Sequence, residues 1–327
     1  MMTGFEMFLL AAEEMNMTRA AERAFVTQQC LGDHIRRLEE SYHVRLFWRK
    51  PKLALTPEGE AMVRYLTKIR VLEEGMQKEL CDINAGVRGT LNFGIGTTRG
   101  EILVPMLVEA IRENAPQVDF QVVLGDTRDL EQQLLSGKLD IILGVSTERN
   151  SMLRYKSIQD EQLYLIIPES MFQHYFPENN ELYRKNFEHG VDLRFLPDLP
   201  LVLGHESSRT ALGVRQYYRK NNLDIHIPVA ISGFSINLRL CRSGKYATVA
   251  PYMHLYQLFE DRQYRKFEEK LLVFPILNIE HEYRIEIVTH KDVPPLQLVK
   301  TFSRVLESCC HTCYHYIDDY INTVNHI

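Results

Sequence analysis

The sequence predicts a mixed α/β chain: an N-terminal winged helix-turn-helix, a long linker helix and a two-lobed α/β region. Three observations predict it. Residues 5–57 carry two short amphipathic helical patterns separated by a tight break, followed by a basic, apolar ribbon. Residues 58–85 form a proline-free helical pattern with one narrow apolar seam. From residue 90 onward, strand patterns alternate with helical ones, and such alternation builds a mostly parallel sheet covered by helices on both faces.

Composition bounds the reading. At 327 residues the chain is long enough for two or three domains. The net charge of −5 makes the whole chain no generic polyanion binder, so any nucleic-acid contact rests on local placement of charge. Arg45, Arg49, Lys50 and Lys52 supply such a placement, with no acid between Ser41 and Pro57 to cancel them. No apolar run approaches the ~20 residues of a membrane span, and FLLAA near the start is followed at once by Glu13 and Glu14. The chain therefore reads as cytoplasmic, without a membrane partner. Six cysteines in a chain this long do not make a disulfide framework. Cys309, Cys310 and Cys313 cluster in CCHTC around His311, and reduced cysteines on a terminal helix are favoured there over a metal site.

The elements follow in order. Residues 1–15 form an opening helix whose buried face carries Phe5, Phe8, Leu9 and Ala12. Thr18 is the expected N-cap of a short helix over residues 19–24, with Ala20, Ala21, Ala24 and Phe25 at helical spacing. Thr27 caps a second helix with Leu31, Ile35 and Leu38 on one stripe, leaving Gln28, Gln29, Gly32, Asp33 and Arg36 off it. A helix-turn-helix needs this arrangement to lay its second helix in a DNA major groove. Val44, Leu46 and Phe47 then pack a ribbon, residues 49–52 make a basic tip, and Leu53 and Leu55 return it as a wing. Taken alone, these polar positions fit a solvated face as well as a DNA face.

Thr56 suits the N-cap and Pro57 the first position of the next helix. Along it Met62, Leu66, Ile69, Met76, Leu80 and Ile83 recur mostly three, four or seven apart. So narrow a seam on so long a helix favours pairing with a second copy over packing on its own domain. Gly86-Val87-Arg88-Gly89 is the hinge. Strands are then expected at 91–95, 118–124, 140–145, 163–167, 201–203, 228–231, 246–250, 271–276 and 283–289. Helices are expected at 102–114, 130–136, 211–220, 236–244 and from 296 onward. Residues 170–200 stay unassigned. The implied domains are 1–57, 58–89 and 90–327, the last with one lobe at about 90–161 and 271–327 and another at about 162–270.

The stretches FLLAAEEMNMTRAAERAFVTQQCLGDHIRRLEESYHVRLFWR and LALTPEGEAMVRY, then GTLNFGIGTTRGEILVPML, LEQQLLSGKLDIIL and GKYATVAP, carry a resemblance. On these motifs the chain resembles the LysR-type transcriptional regulators over essentially its whole length. The resemblance implies a winged helix-turn-helix, a dimerising linker helix, and an effector domain of two subdomains like those of periplasmic binding proteins. It implies double-stranded promoter DNA, a small-molecule effector and RNA polymerase as partners, homodimers through the linker helix assembling into homotetramers, and no cofactor. One segment departs from the family. Where SQPALSRQI is usual this chain has TQQCLGDHI, so that Gln29 replaces a proline, Gly32 a serine and Asp33 a common arginine. An acid facing phosphates is unfavourable; alternatively, Asp33 accepts a hydrogen bond from a cytosine amino group.

Two sets of candidate site residues follow. For DNA, Gln28 and Gln29 at the start of the recognition helix reach base edges, where glutamine can bind adenine bidentately. Thr18, Arg19, Arg49 and Lys50 are phosphate candidates, and Arg36 touches phosphate or an acid. For the effector, GIGTTRG at 94–100 falls where a strand hands over to a helix, and helix N-termini attract anions. Its glycine spacing is not a dinucleotide fingerprint. The family's effector contacts a Ser or Thr in this turn, matching Thr97 or Thr98. Thr98 with Glu101 also has capping-box spacing, which would spend the hydroxyl on its own helix. Arg99 points to an anionic effector, or is simply exposed. His205, Ser207, Ser208, Ser232, Phe234, Ser235 and Ser146 follow strands and are candidates for the rest of the cleft, since ligands in open sheets lie beyond the carboxyl ends of the strands. No P-loop, HExxH or strand–helix GxSxG is present, which disfavours an enzyme. A solute-binding protein of transport would have no use for residues 1–85.

Overall fold

The computed structural model describes residues 3–50, 52–85, 89–177, 180–196, 198–205, 208–260, 269–279, 283–293 and 297–324. They fall into two compact units, one built on the N-terminal helices and the other largely on residues beyond them.

The first unit begins with α1 (Thr3–Glu14), α2 (Met17–Arg23) and α3 (Gln28–Tyr42). A two-stranded hairpin follows, β1 (Phe47–Trp48) against β2 (Ala54–Leu55), with Phe47 opposite Leu55. α4 (Pro57–Ala85) completes the unit. Phe8, Leu31, Ile35 and Leu46 are fully buried at its centre, and the Phe8 ring lies 5.5 Å from that of Phe47. The cap of α2 differs from expectation. Asn16, not Thr18, accepts from the Thr18 and Arg19 N–H groups, at 3.0 and 3.2 Å, because the helix starts two residues earlier than the alanine spacing suggests. Thr27 does cap α3, accepting from the Cys30 N–H at 3.2 Å. Thr56 both donates to the Arg45 carbonyl at 2.6 Å and accepts from the Gly59 N–H at 2.9 Å, tying the wing to α4. Gly59 is obligatory at that joint: a Cβ there would lie 2.2 Å from the Leu46 carbonyl oxygen.

The seam of α4 is rotated from the expected one. Leu66 is buried and Met62 partly so, both against the helix-turn-helix core. The exposed stripe is instead Tyr65, Ile69, Leu72, Met76 and Leu80. The side chain of Ile83 lies outside the described residues, as do residues 86–88 of the expected hinge.

The second unit holds two sheets. It runs β3 (Gly89–Ile95), α5 (Thr97–Asn114), β4 (Val118–Leu124), α6 (Thr127–Leu135), β5 (Ile141–Val145) and β6 (Leu153–Glu161). The chain then crosses into β7 (Leu163–Pro168), α7 (Glu169–Tyr175), α8 (Asn180–Glu188), β8 (Val191–Asp192), β9 (Leu201–Leu203), α9 (Arg209–Lys220), β10 (Val229–Ala230), α10 (Phe234–Cys241), β11 (Ala247–Pro251), α11 (Leu255–Glu260) and β12 (Leu271–Leu277). It returns through β13 (Tyr283–His290) and ends in α12 (Gln297–Val324). The first sheet has the order β4-β3-β5-β13-β6 and the second β10-β9-β11-β7-β12-β8.

Three differences from the sequence reading have physical causes. β12 pairs with β7, so residues 271–277 belong to the second lobe and the return crossing comes after them, not before. The sheets are mixed rather than mostly parallel: β13 runs antiparallel to β5 and β6, and β7 antiparallel to β11 and β12. Only Gln162 separates β6 from β7, and strands that carry the chain from one sheet to the other need no helical crossover. β6 itself was not anticipated. It is an edge strand, LRYKSIQDE, and its polar solvent side hides the apolar alternation. The unassigned stretch holds α7, α8 and a short 3-10 turn at Leu193–Phe195, and Phe172, Phe176 and Phe187 cluster on Phe274 of β12.

Cys309, Cys310 and Cys313 are buried on α12, and burial pushes the Cys313 thiol up to about 12. Among the described residues no group of three or more His, Cys, Asp or Glu side chains is placed to hold a metal ion, and no helix is long and apolar enough to cross a membrane.

Candidate functional site

On the first unit, α3 turns Leu31, Ile35 and Leu38 inward and leaves Gln28, Gln29 and Arg36 exposed, with Gly32 and Asp33 half-buried. The Thr18 hydroxyl donates to Gln28 Oε1 at 3.4 Å, bringing α2 to the start of α3. The charges on this surface are already partly paired. Arg19 meets Glu14 at 2.9 Å, and Arg23 meets both Glu13 and Glu14. Hydrogen bonds from Arg19 and then Arg23 hold the Glu14 carboxyl below its ordinary range. Arg36 lies 3.2 Å from Asp33, so the acid that departs from the family pattern has its counter-charge one helical turn away. Arg49 reaches toward Glu39 at 3.7 Å, while Lys50 and Lys52 are exposed on the wing.

On the second unit, a cleft of about 190 Å³ opens between the two sheets, at the carboxyl ends of β3, β4, β5, β9 and β10. Thr97, Thr98, Arg99, Ser208, Ser232 and Phe234 line it, as the strand-to-helix rule predicts. Ser146, His205 and Ser235 are not among its lining. Ser146 adopts a positive φ of 45° and its hydroxyl accepts from the Arg284 N–H, while His205 and Ser235 are exposed. Ser207 lies outside the described residues. Asp126, Thr127, Arg209, Asn237, His254 and Tyr283 line the cleft without having been singled out. Arg209 was within reach of the same rule, since it opens α9 directly after a strand and loop. Nothing in the sequence marks Asn237 or His254, which arrive from inside α10 and from a 3-10 turn.

Two expectations at GIGTTRG are corrected. The capping box does not form: Gly96 is the N-cap of α5, Thr97 and Thr98 sit in its first turn, and Glu101 accepts from Gln257 instead. α5 starts earlier than its apolar period does because this first turn faces the cleft. Arg99 is not exposed. It is 7% accessible and its Nη2 lies 2.5 Å from Glu161 Oε2. Glu161 also accepts from the Tyr314 hydroxyl at 2.9 Å and the Met253 N–H at 3.2 Å.

Two features give the cleft its chemistry. α5, α9 and α10 all begin at it, and their N-cap residues Gly96, Ser208 and Gly233 make no side-chain hydrogen bond to the helix. Their first-turn N–H groups and the positive ends of their dipoles are thus turned toward one space. In addition, Arg99 Nε, Arg209 Nη2, Asn237 Oδ1 and His254 Nε2 are buried without a hydrogen-bond partner. Among the described residues eight side-chain atoms are in that state, and half of them belong to residues lining this cleft.

Comparison with known proteins bears on both units. Residues 84–309 match the family model described as the LysR substrate binding domain, and residues 2–60 match that of the bacterial regulatory helix-turn-helix protein, lysR family. The chain belongs to the LysR family. A probable RuBisCO transcriptional regulator of Trieres chinensis is 32% identical over 163 residues, which is 49% of this chain and 53% of the relative. Its counterpart in Porphyra purpurea is 33% identical over 185 residues, 54% of this chain and 57% of the relative. The LysR-family chain thus spans about half the length of the curated relatives it matches. In structure it is similar to a full-length OxyR variant from Pseudomonas aeruginosa, with a TM-score of 0.63 at 23% identity and 94% of each chain covered. Full-length BenM aligns with a TM-score of 0.51 at 19% identity over 96% of each chain. These two likenesses show the shared fold. Within the LysR family, the helix-turn-helix match covers α1 to α3 and the wing, and the substrate-binding match covers every residue that lines the cleft.

Proposed function

We propose that this LysR-family chain is a cytoplasmic transcriptional regulator, without enzymatic activity, that binds promoter DNA in a sequence-specific way under control of a small anionic effector held between the two lobes. The observation that carries the effector half is the meeting of three uncapped helix N-termini at one cleft. Backbone N–H groups aimed at one point favour an anion over a neutral ligand. The DNA half is supported by α3, whose start is tied to α2 by Thr18 and Gln28 and whose polar face is uncovered. Gln28 and Gln29 read bases, and Thr18, Arg19, Arg49, Lys50 and Lys52 contact phosphates. Arg36 leaves Asp33 for a phosphate, or keeps it neutralised. No reaction is assigned to the cleft, and no metal or organic cofactor is needed.

The exposed stripe on α4 supports a homodimer. Tyr65, Ile69, Leu72, Met76 and Leu80 would face the same residues of a second copy, and two dimers would form a tetramer spanning adjacent half-sites. Charges placed on that stripe should dissociate the chain. Ile69→Glu with Met76→Glu is expected to sediment as a monomer, and a variant that still sediments as a dimer would move the interface elsewhere. RNA polymerase is the partner through which the bound dimer would act. Effector binding would shift the population between two assemblies that contact DNA differently.

The test of the DNA reading is a mobility shift with the DNA upstream of the chain's own coding sequence, across a salt series. Affinity should fall steeply and linearly in log–log form. Binding that ignores salt, or none at low salt, overturns the reading. Gln28→Ala should cost about 1–3 kcal/mol on that DNA, the discrimination of one base contact, with little loss on unrelated DNA. Equal loss on both would mean that Gln28 reads no base.

A further inference from the structure

The uncapped helix N-termini account for an anion but leave half of the cleft's unpartnered atoms unexplained. Arg99 Nε and Arg209 Nη2 are donors and suit an anion. Asn237 Oδ1 does not, because an acceptor gains nothing from a carboxylate, and His254 Nε2 does not when the ring proton is on Nδ1. Asn237 is 6% accessible and sits on α10, with Oδ1 buried and unmatched. His254 stacks obliquely on Phe234, with ring centroids 5.1 Å apart. Burial, and then the nearby Arg99 charge, hold its imidazole neutral, well below the usual range. A neutral imidazole protonated on Nδ1 presents Nε2 as an acceptor. At the lobe I side, exposed Asp126 adds a carboxylate to the lining. A buried acceptor without a donor is costly, and native structures match such groups. The cavity, at about 190 Å³, is smaller than a drug-sized site and suits a compact ligand.

We propose that the effector is a small carboxylate that also carries a hydroxyl or amino group, its anionic end at the α5 and α9 N-termini with Arg209 and its hydrogen-donating group at Asn237 Oδ1 and His254 Nε2. The proposal rests on the anion-binding cleft described above and adds a second, opposite recognition element to it. The donor separates effectors from plain carboxylates of equal size. A site built to pair with a hydroxyl or amino group rejects the analogue that lacks it. An amino group would draw further on Asp126, whereas a hydroxyl would not.

Titration calorimetry on the 327-residue chain tests this with matched series from propanoate to hexanoate. Each parent acid is compared with its hydroxy and amino derivatives and with the methyl ester of each derivative. At least one derivative should bind about ten-fold tighter than its parent, the worth of one well-placed buried hydrogen bond, and its ester should lose that affinity. Asn237→Leu, and independently His254→Phe, should shrink the ratio of derivative to parent toward one, with circular dichroism melting used to check that each variant folds. Arg209→Gln should weaken parents and derivatives together. If parents bind as tightly as all their derivatives, the donor proposal falls while the anion cleft stands. If the esters bind as well as the acids, or if no acid binds, the anion cleft falls with it. An amino derivative preferred over its hydroxy counterpart, with that preference lost in Asp126→Asn, identifies the amino form; the reverse preference identifies the hydroxy form.

Discussion

Glu161→Ala will destabilise the second unit by about 3–5 kcal/mol, the usual cost of stripping a buried charge of its partner. Glu161 is fully buried as a side chain and stands 2.5 Å from Arg99, which is itself almost wholly enclosed. Its removal leaves a guanidinium in the protein interior without a counter-charge. It also strands the Tyr314 hydroxyl and the Met253 N–H, which both donate to the same carboxylate. The position magnifies the effect. Glu161 ends β6, one residue before the chain crosses into the second sheet, and its partners lie on α5, on α12 and beyond β11. Urea unfolding followed by circular dichroism should show the loss as a lowered midpoint. The double variant Arg99→Met with Glu161→Leu should recover much of it, because removing both charges leaves nothing unpaired. A single variant as stable as the parent chain would show that water, not the ion pair, solvates Arg99.

Phe8→Ala will destabilise the first unit by about 3–5 kcal/mol and abolish DNA binding. Phe8 is fully buried where α1 meets α3 and the wing, and its ring packs on Phe47. Deleting a ring from such a site loses its transfer free energy and leaves a cavity, a combined cost of about 3–5 kcal/mol. A unit this small has little stability in reserve. Trp48 makes the measurement selective. It is the sole tryptophan and lies on β1, so its fluorescence follows the unfolding of the wing. The expected result is an early fluorescence transition, with effector binding by calorimetry unchanged. Retention of DNA binding at physiological temperature would show that α1 is not needed to hold α3.

The physical reason for what the sequence shows and hides differs between the two units. In the first, contacts are local and the pattern is nearly sufficient. Leu31, Ile35 and Leu38 mark the buried stripe of α3, Thr27 its cap, and Thr56-Pro57 the start of α4. The errors there are small and instructive. Asn16 rather than Thr18 caps α2, since both are cap-forming residues at one boundary and a two-residue shift in the helix start selects between them. Met62 and Leu66 belong to the domain core rather than to the exposed stripe, since a helix pattern alone does not say which apolar residues a neighbouring element has already covered.

In the second unit, periodicity located most strands and helices but not their pairing. That β12 joins the second sheet is set by hydrogen bonds from Leu271–Pro275 to β7, more than a hundred residues away in sequence. The cleft divides the same way. Thr97, Thr98, Ser208, Ser232 and Phe234 were legible because the carboxyl end of a strand before a helix has one geometry wherever it occurs. Ser146, His205 and Ser235 obey the same rule on paper yet do not line the cleft, since the rule gives a neighbourhood and the local backbone gives the direction, as the positive φ of Ser146 shows.

The sequence by itself thus determined the winged helix-turn-helix, the linker helix and the alternation of the effector region, all of which rest on short-range periodicity and capping. Only the tertiary structure decided that Arg99 is committed to Glu161, that three helix starts converge without side-chain caps, and that Asn237 and His254 bring buried, unpartnered polar atoms to the same cleft. Those facts depend on which groups burial brings together from distant segments and which it leaves without a partner, and no local pattern encodes them.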